Sequence, residues 1–147
     1  MNKQKGFAWL KLAGILIAAF LLIQLVPYGR AHTNPPVVNE PQWQDATTKD
    51  LVTRACFDCH SNETVWPWYS NIAPASWLIQ RDVEEGRQKL NFSEWGGRER
   101  EVEEIIQVVR EGEMPPIQFT LIHAEARLSE AERAQLISGF KASLAAR

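Results

Sequence analysis

Cysteine is nearly absent from this chain: Cys56 and Cys59 are the only two among 147 residues, too few to staple a fold through a disulfide framework. Methionine is as rare, with Met114 the only one besides Met1. Acidic residues are missing from the first 31 positions, where Lys3, Lys5, Lys11 and Arg30 are the only charges. The rest therefore carries twelve basic against eighteen acidic groups, a formal −6. Averaged over that part, the balance argues against nucleic acid and anionic lipid surfaces as partners and points to a basic docking protein. What remains is ordinary. At 45% apolar and 23% charged, the composition is that of one globular domain.

The two cysteines stand in Cys56-Phe57-Asp58-Cys59-His60. C-x-x-C followed directly by histidine is the attachment signature of c-type haem. The spacing lets both thiols reach the two vinyl groups of one porphyrin edge and form thioethers, while the adjacent imidazole is carried under the ring to bind iron. Cys56 and Cys59 are thus candidate covalent attachment points for a single haem c, and His60 the candidate proximal iron ligand. Three plainer readings compete. A thioredoxin-like redox pair belongs beside a βαβ pattern, and no strand pattern lies near. A structural zinc site needs four ligands, for which Cys56, Cys59, His60 and the distant His123 would be an unusual set. A simple disulfide leaves His60 without a role.

Residues 7–26 are apolar except for Lys11 and Gln24, and Pro27 and Gly29 follow. Twenty such residues suit a membrane-crossing helix, with Lys11 snorkelling toward the cytoplasmic face. Counted from Leu12 the run to Val26 is only 15 residues, broken by Gln24, which also suits a signal-peptide core, although Gly29-Arg30-Ala31 is a poor cleavage site. With the basic residues on the N-terminal side, the following domain is expected outside the cytoplasm, held at the inner membrane or released into the periplasm if the segment is cut. Residues 32–44, with Pro35, Pro36 and Pro41, read as an extended linker that lifts the domain off the membrane, with His32 solvated. The predicted organisation is therefore 1–31 anchor or signal, 32–44 linker, and 45–147 haem-binding domain.

Helical periods fill that last part. Leu51, Val52, Ala55 and Cys59 form a stripe that brings one helix, capped by Asp45 or Thr47, down onto the C-x-x-C-H turn. Trp66-Pro67-Trp68-Tyr69-Ser70-Asn71-Ile72-Ala73-Pro74 has no helical or strand period and reads as an ordered loop. Trp66 and Trp68 there either pack on the haem or fill ordinary core. Ser76 is expected to cap a helix with the stripe Ile79, Val83, Gly86 and Leu90, and residues 91–97 to form a turn. Val102, Ile105, Ile106 and Val109 mark the next helix, ended by Gly112. Ser129-Glu130-Ala131-Glu132 is a capping box opening a last helix that buries Leu136, Ile137, Phe140 and Leu144 across the first. The pattern predicts an all-α fold, a small cytochrome c-like helical domain around a covalent haem, preceded by the N-terminal helix.

Met114 lies in Gly112-Glu113-Met114-Pro115-Pro116, a loop stiffened by prolines rather than a buried stripe. A thioether presented there suits the distal side of the iron, where Met/His ligation raises the reduction potential. His123 is the alternative distal ligand, and an open sixth position is the third possibility.

These residues also carry a resemblance. Cys56-Phe57-Asp58-Cys59-His60-Ser61-Asn62, Trp66-Pro67-Trp68-Tyr69-Ser70, Asp82-Val83-x-x-Gly86-Arg87, Leu90-Asn91-Phe92-Ser93-x-Trp95, and Met114-Pro115-Pro116 followed by His123 and Leu128-Ser129 closely resemble the bacterial haem-binding domain family over about residues 45 to 140. Members look like single-haem c-type cytochromes, sometimes joined to cytochrome c or di-haem peroxidase modules. The resemblance implies haem attachment at Cys56 and Cys59 with His60 proximal. The expected function is single-electron transfer to and from redox partner proteins, without catalytic side chains. The alternative is peroxide chemistry or ligand sensing at an open iron, with His123 as the acid/base group.

Overall fold

The computed structural model describes residues 3–96 and 99–144, and the side chains of residues 7–96 and 102–144. Lys3 and Lys5, on which the expected orientation rests, and Gly97 of the expected turn have side chains or positions outside that set. The described residues form six α-helices and no strand: α1 (Lys3–Ile23), α2 (Ala46–His60), α3 (Ala75–Lys89), α4 (Glu99–Glu111), α5 (Ile117–Ile122) and α6 (Glu130–Leu144), with short 3₁₀ turns at Trp68–Asn71 and Ala124–Ala126. The all-α expectation holds. The chain divides into two compact units, Met1–Thr33 with Trp66–Asp82, and Asn34–Val65 with Val83–Arg147.

In the first unit, the apolar side chains of α1 are exposed on every face, among them Leu10, Ile15, Leu16, Phe20 and Leu21. Among the described residues no helix is long and apolar enough to cross a membrane. The part of α1 whose side chains are described, residues 7–23, spans about 26 Å at 1.5 Å per residue, against about 30 Å of bilayer hydrocarbon. Past its end, Gln24 Nε2 donates to the Ala73 carbonyl and Gln24 Oε1 accepts from the Ala73 N–H, both at 2.9 Å. His32, expected in solvent, is half-buried, stacked on Trp66 at 4.7 Å, with Nε2 3.2 Å from the Ser70 carbonyl. Ser76 does not cap α3. It lies inside the first turn, fully buried, with its N–H on the Ile72 carbonyl and its hydroxyl without a partner among the described residues.

The second unit has one core, built by Leu51, Val52 and Phe57 of α2, Phe92, the α4 stripe Val102, Ile105, Ile106 and Val109, and Leu136, Phe140 and Leu144 of α6. Each helix end follows its local chemistry. Asp45 caps α2 by accepting from the Thr48 N–H at 2.6 Å. The capping box opens α6, with Glu132 Oε2 accepting from the Ser129 N–H at 2.8 Å. Gly112, at φ +77°, stops α4, and the Val108 carbonyl accepts from Glu113 and Met114 N–H at 3.0 and 3.2 Å. As the apolar stripe requires, α6 packs on α2 and α4. The α2 crossing is tight, since a Cβ at Gly139 would overlap the buried Thr48 side chain.

Residues 34–44 do not project as a free tether. Val38 and Asn39 N–H both reach the Ser93 carbonyl, at 2.9 and 3.0 Å, and Trp95 N–H donates to the Asn39 carbonyl at 2.8 Å. The prolines keep this segment extended, and an extended backbone exposes donors that the 93–95 turn satisfies.

Candidate functional site

The last turn of α2 carries Cys56 and His60 at i and i+4, hence on one helix face. That face opens into a cavity of about 320 Å³. Leu90 and Phe92 line it after α3, Ile105, Val108 and Val109 from α4, Met114 from the proline loop, and Phe140 from α6; Lys89, Glu104 and Glu113 complete the lining. The wall is apolar and the charges come from a few side chains, a composition suited to a flat hydrophobic ligand with polar edges.

His60 is fixed by α3. Its Nδ1 lies 3.0 Å from the Gly86 carbonyl and 3.1 Å from the Leu90 carbonyl. Carbonyl oxygens only accept, so Nδ1 carries the proton and Nε2 keeps its lone pair for a ligand. Burial, the largest influence, holds the imidazole below its ordinary pKa, which keeps it neutral. This is how a metal-ligating histidine is usually held: the non-ligating nitrogen donates to a carbonyl that sets tautomer and ring orientation. Gly86 makes the approach possible, because a Cβ there would overlap the Cys59 carbonyl.

A hydrogen-bonded collar holds the turn behind His60. The Arg87 Nε donates to the Ser61 carbonyl at 2.7 Å, and its Nη2 to Asn34 Oδ1 and Thr64 Oγ1 at 2.9 Å. Asn91 Nδ2 donates to Asn62 Oδ1, the Asn62 N–H to Ser93 Oγ, and the Phe92 N–H to the His60 carbonyl at 2.8 Å. Asp58 Oδ1 accepts from the Val65 N–H at 2.9 Å. None of these residues was singled out by its chemistry in the sequence. Asp58, Asn62, Gly86, Arg87, Asn91 and Ser93 nevertheless all lie in the family motifs, which was the available signal.

Both cysteines are unbridged and half-buried. Burial, with Cys59 beside it, pushes the Cys56 thiol up to about 12, so it stays protonated, unlike the thiolate of a thioredoxin-like pair. Among the described residues no three His, Cys, Asp or Glu side chains group as a metal site, which leaves the zinc set unassembled.

The structure brings Cys56, His60 and Met114 together around one cavity, with Met114 packed on the core. It does not bring His123 there. His123 stacks on Phe119 at 4.2 Å, its Nδ1 lies 3.1 Å from Glu125 Oε1, and its charge acts on Asp58, which projects from nearly the opposite face of α2 to His60. The 3₁₀ turn that follows His123 packs on α2, and α5 packs on that turn rather than on α2 itself. Trp66 and Trp68 do not line the cavity either. Both belong to the first unit, where Trp66 stacks on His32 and Trp68 is 76% exposed with Tyr69 edge-on.

An apolar cavity with a pinned neutral imidazole, a cysteine four residues before it and a thioether in its lining has the make-up of a cofactor site. A profile of the haem-binding domain family matches residues 18–142, and the chain belongs to that family. Haem, with its iron, is the cofactor that this membership supports. No curated protein and no solved structure matches the chain.

Proposed function

We propose that the protein is a membrane-held c-type cytochrome of the periplasm that carries single electrons, with one haem bound through thioethers to Cys56 and Cys59, His60 as proximal ligand and Met114 as distal ligand. The observation that carries this reading is the convergence of Cys56, a His60 locked with Nε2 free, and Met114 on one cavity. Haem held there supplies a one-electron ferric/ferrous couple. The residues do the rest. Gly86 and Leu90 hold the imidazole in one orientation, Met114 offers a neutral sulfur that favours the reduced metal, and the apolar wall keeps water out.

The exposed apolar helix α1, with Lys3, Lys5 and Lys11 toward its start, is the anchor and sends the remainder out of the cytoplasm, where thioether attachment takes place. The net charge of the part after position 31 favours a basic redox partner. Open-site peroxide or sensing chemistry has lost its acid/base candidate, because His123 is engaged elsewhere.

The test is the visible spectrum of protein expressed with the cytochrome c maturation machinery, ferric and then dithionite-reduced. Thioether-haem bands together with the weak long-wavelength band of methionine sulfur on ferric iron are expected. A high-spin ferric spectrum would overturn the Met114 assignment, and absence of covalent haem would overturn the whole reading.

A further inference from the structure

The first unit differs from the rest of the chain in kind. It holds four of the six tryptophans, Trp9, Trp66, Trp68 and Trp77, and both tyrosines, Tyr28 and Tyr69. Its charges are Lys3, Lys5, Lys11, Arg30 and Arg81 against Asp82 alone. The −6 after position 31 therefore falls entirely on the other unit, and the first unit carries a formal +4. Past the end of α1 its charges are Arg30 and Arg81 against Asp82.

Its apolar side chains are also displayed. Just past α1, Leu25 is 77% exposed and Val26 and Tyr28 are nearly half exposed; from the 66–74 loop and α3, Trp68, Ile72 and Leu78 are exposed as well. Single exposed apolar residues need no explanation, but these are tied to one place. The double hydrogen bond between Gln24 and Ala73 bolts the loop to the end of α1, directly beside Ile72. Arg30 Nη2 reinforces it by donating to Gln24 Oε1 at 3.2 Å, and Gly29 lies so close to the Ser76 carbonyl that a Cβ would overlap it. The loop is thus fastened at the level where α1 emerges, not hung from a tether.

From this we infer that residues 25–28 and 66–74, with Leu78, form a foot that rests in the headgroup and acyl boundary of an anionic bilayer. Tryptophan and tyrosine prefer that boundary because each has an apolar body and a polar tip, and Arg30 and Arg81 add attraction to lipid phosphate. The occupant is lipid rather than a second copy of the chain, since the loop is bolted to the end of the helix read as the anchor and so lies at the bilayer boundary, where Arg30 and Arg81 meet headgroup phosphate. The inference rests on the reading of α1 as the membrane anchor and assigns the tryptophan loop a partner of its own.

The test places the photoreactive amino acid p-benzoylphenylalanine at Trp68 or at Leu16, one site per protein, in the full chain reconstituted into vesicles of phosphatidylethanolamine and phosphatidylglycerol. A dispersed short-chain phospholipid gives the background. After irradiation, lipid adducts above background at both positions are expected. Adducts at 16 without adducts at 68, or protein adducts in their place at 68, overturn the foot and leave the anchor. Adducts at neither position overturn both. Adducts at 68 alone keep the foot and overturn the anchor. The same probe at Ile72 repeats the test should Trp68 prove needed for folding, with helix content by circular dichroism as the check.

Discussion

Gly86→Ala isolates the close approach of α3 to the last turn of α2. The added methyl would meet the Cys59 carbonyl, its carbon and the Cys59 Cβ, so α3 must move away from α2. Backbone cannot rotate aside as a side chain can, which places the packing cost near the upper end of the usual range, about 3 kcal/mol. Alanine returns about 1 kcal/mol through its better helix propensity. The displacement also lengthens the bonds from His60 Nδ1 to the Gly86 and Leu90 carbonyls, now 3.0 and 3.1 Å, for about another 1 kcal/mol. The net loss is about 3 kcal/mol, or roughly 10 °C in midpoint for a domain of this size. Thermal unfolding of the purified protein followed at 222 nm measures it. Gly96→Ala, where nothing lies within 4 Å of the new methyl, is the control and should leave the midpoint unchanged. A Gly86→Ala protein as stable as the parent would refute the close approach of α3 to the Cys59-His60 turn and, with it, the stated anchoring of His60.

Met114→Ala is expected to leave haem attached, lower the reduction potential and admit carbon monoxide rapidly to the ferrous protein, whereas His123→Ala should change neither; the reverse pattern in redox titration and ligand-binding kinetics would transfer the distal role to His123. Gly139→Ala should cost about 1–3 kcal/mol, because its methyl overlaps the Thr48 side chain where α2 and α6 cross, and Thr48→Ser should recover part of that loss in denaturant unfolding. Asp45 and Glu132 are both held below their ordinary values of 3.8 and 4.5, chiefly by the backbone N–H groups of Thr48 and Ser129. Carboxylates with depressed folded pKa values contribute stability that is complete above the unfolded values and is lost as pH falls through the folded ones. Asp45→Asn with Glu132→Gln should therefore flatten the stability profile below about pH 4; an unchanged acid limb in urea unfolding would show that these caps do not titrate with folding.

The helices were legible wherever one stripe met one core. Val102, Ile105, Ile106 and Val109 repeat at helical spacing and all four are buried. Local signals that act within a few residues also read true, as with the Ser129 capping box and the Gly112 stop. The failures have a common cause. The grip of Gly86 and Leu90 on His60 joins positions 26 and 30 apart, and the docking of residues 38 and 39 on Ser93 joins positions more than 50 apart, so no local pattern announces either. Ser76 has the chemistry of a cap, yet α3 already begins at Ala75. His123 has the chemistry of a ligand, but residues 117–126 carry it to the Asp58 side of α2. Trp66 and Trp68 illustrate the same limit: aromatic character is visible in a sequence, whereas the surface it meets is not.

Met114 follows α4 by way of Gly112, and the Val108 carbonyl holds the N–H groups of both Glu113 and Met114. The sulfur is therefore indexed to the helix by residue count. One residue added or removed between Val109 and Met114 would turn the thioether by about 100° around the helix axis and shift it by about 1.5 Å. Substitutions along this stretch, other than at Gly112 with its φ of +77°, leave that index untouched, but insertions and deletions do not. A segment so tolerant of spelling and so intolerant of length should keep its spacing across any lineage in which the sulfur does its work, even after the letters around it have changed.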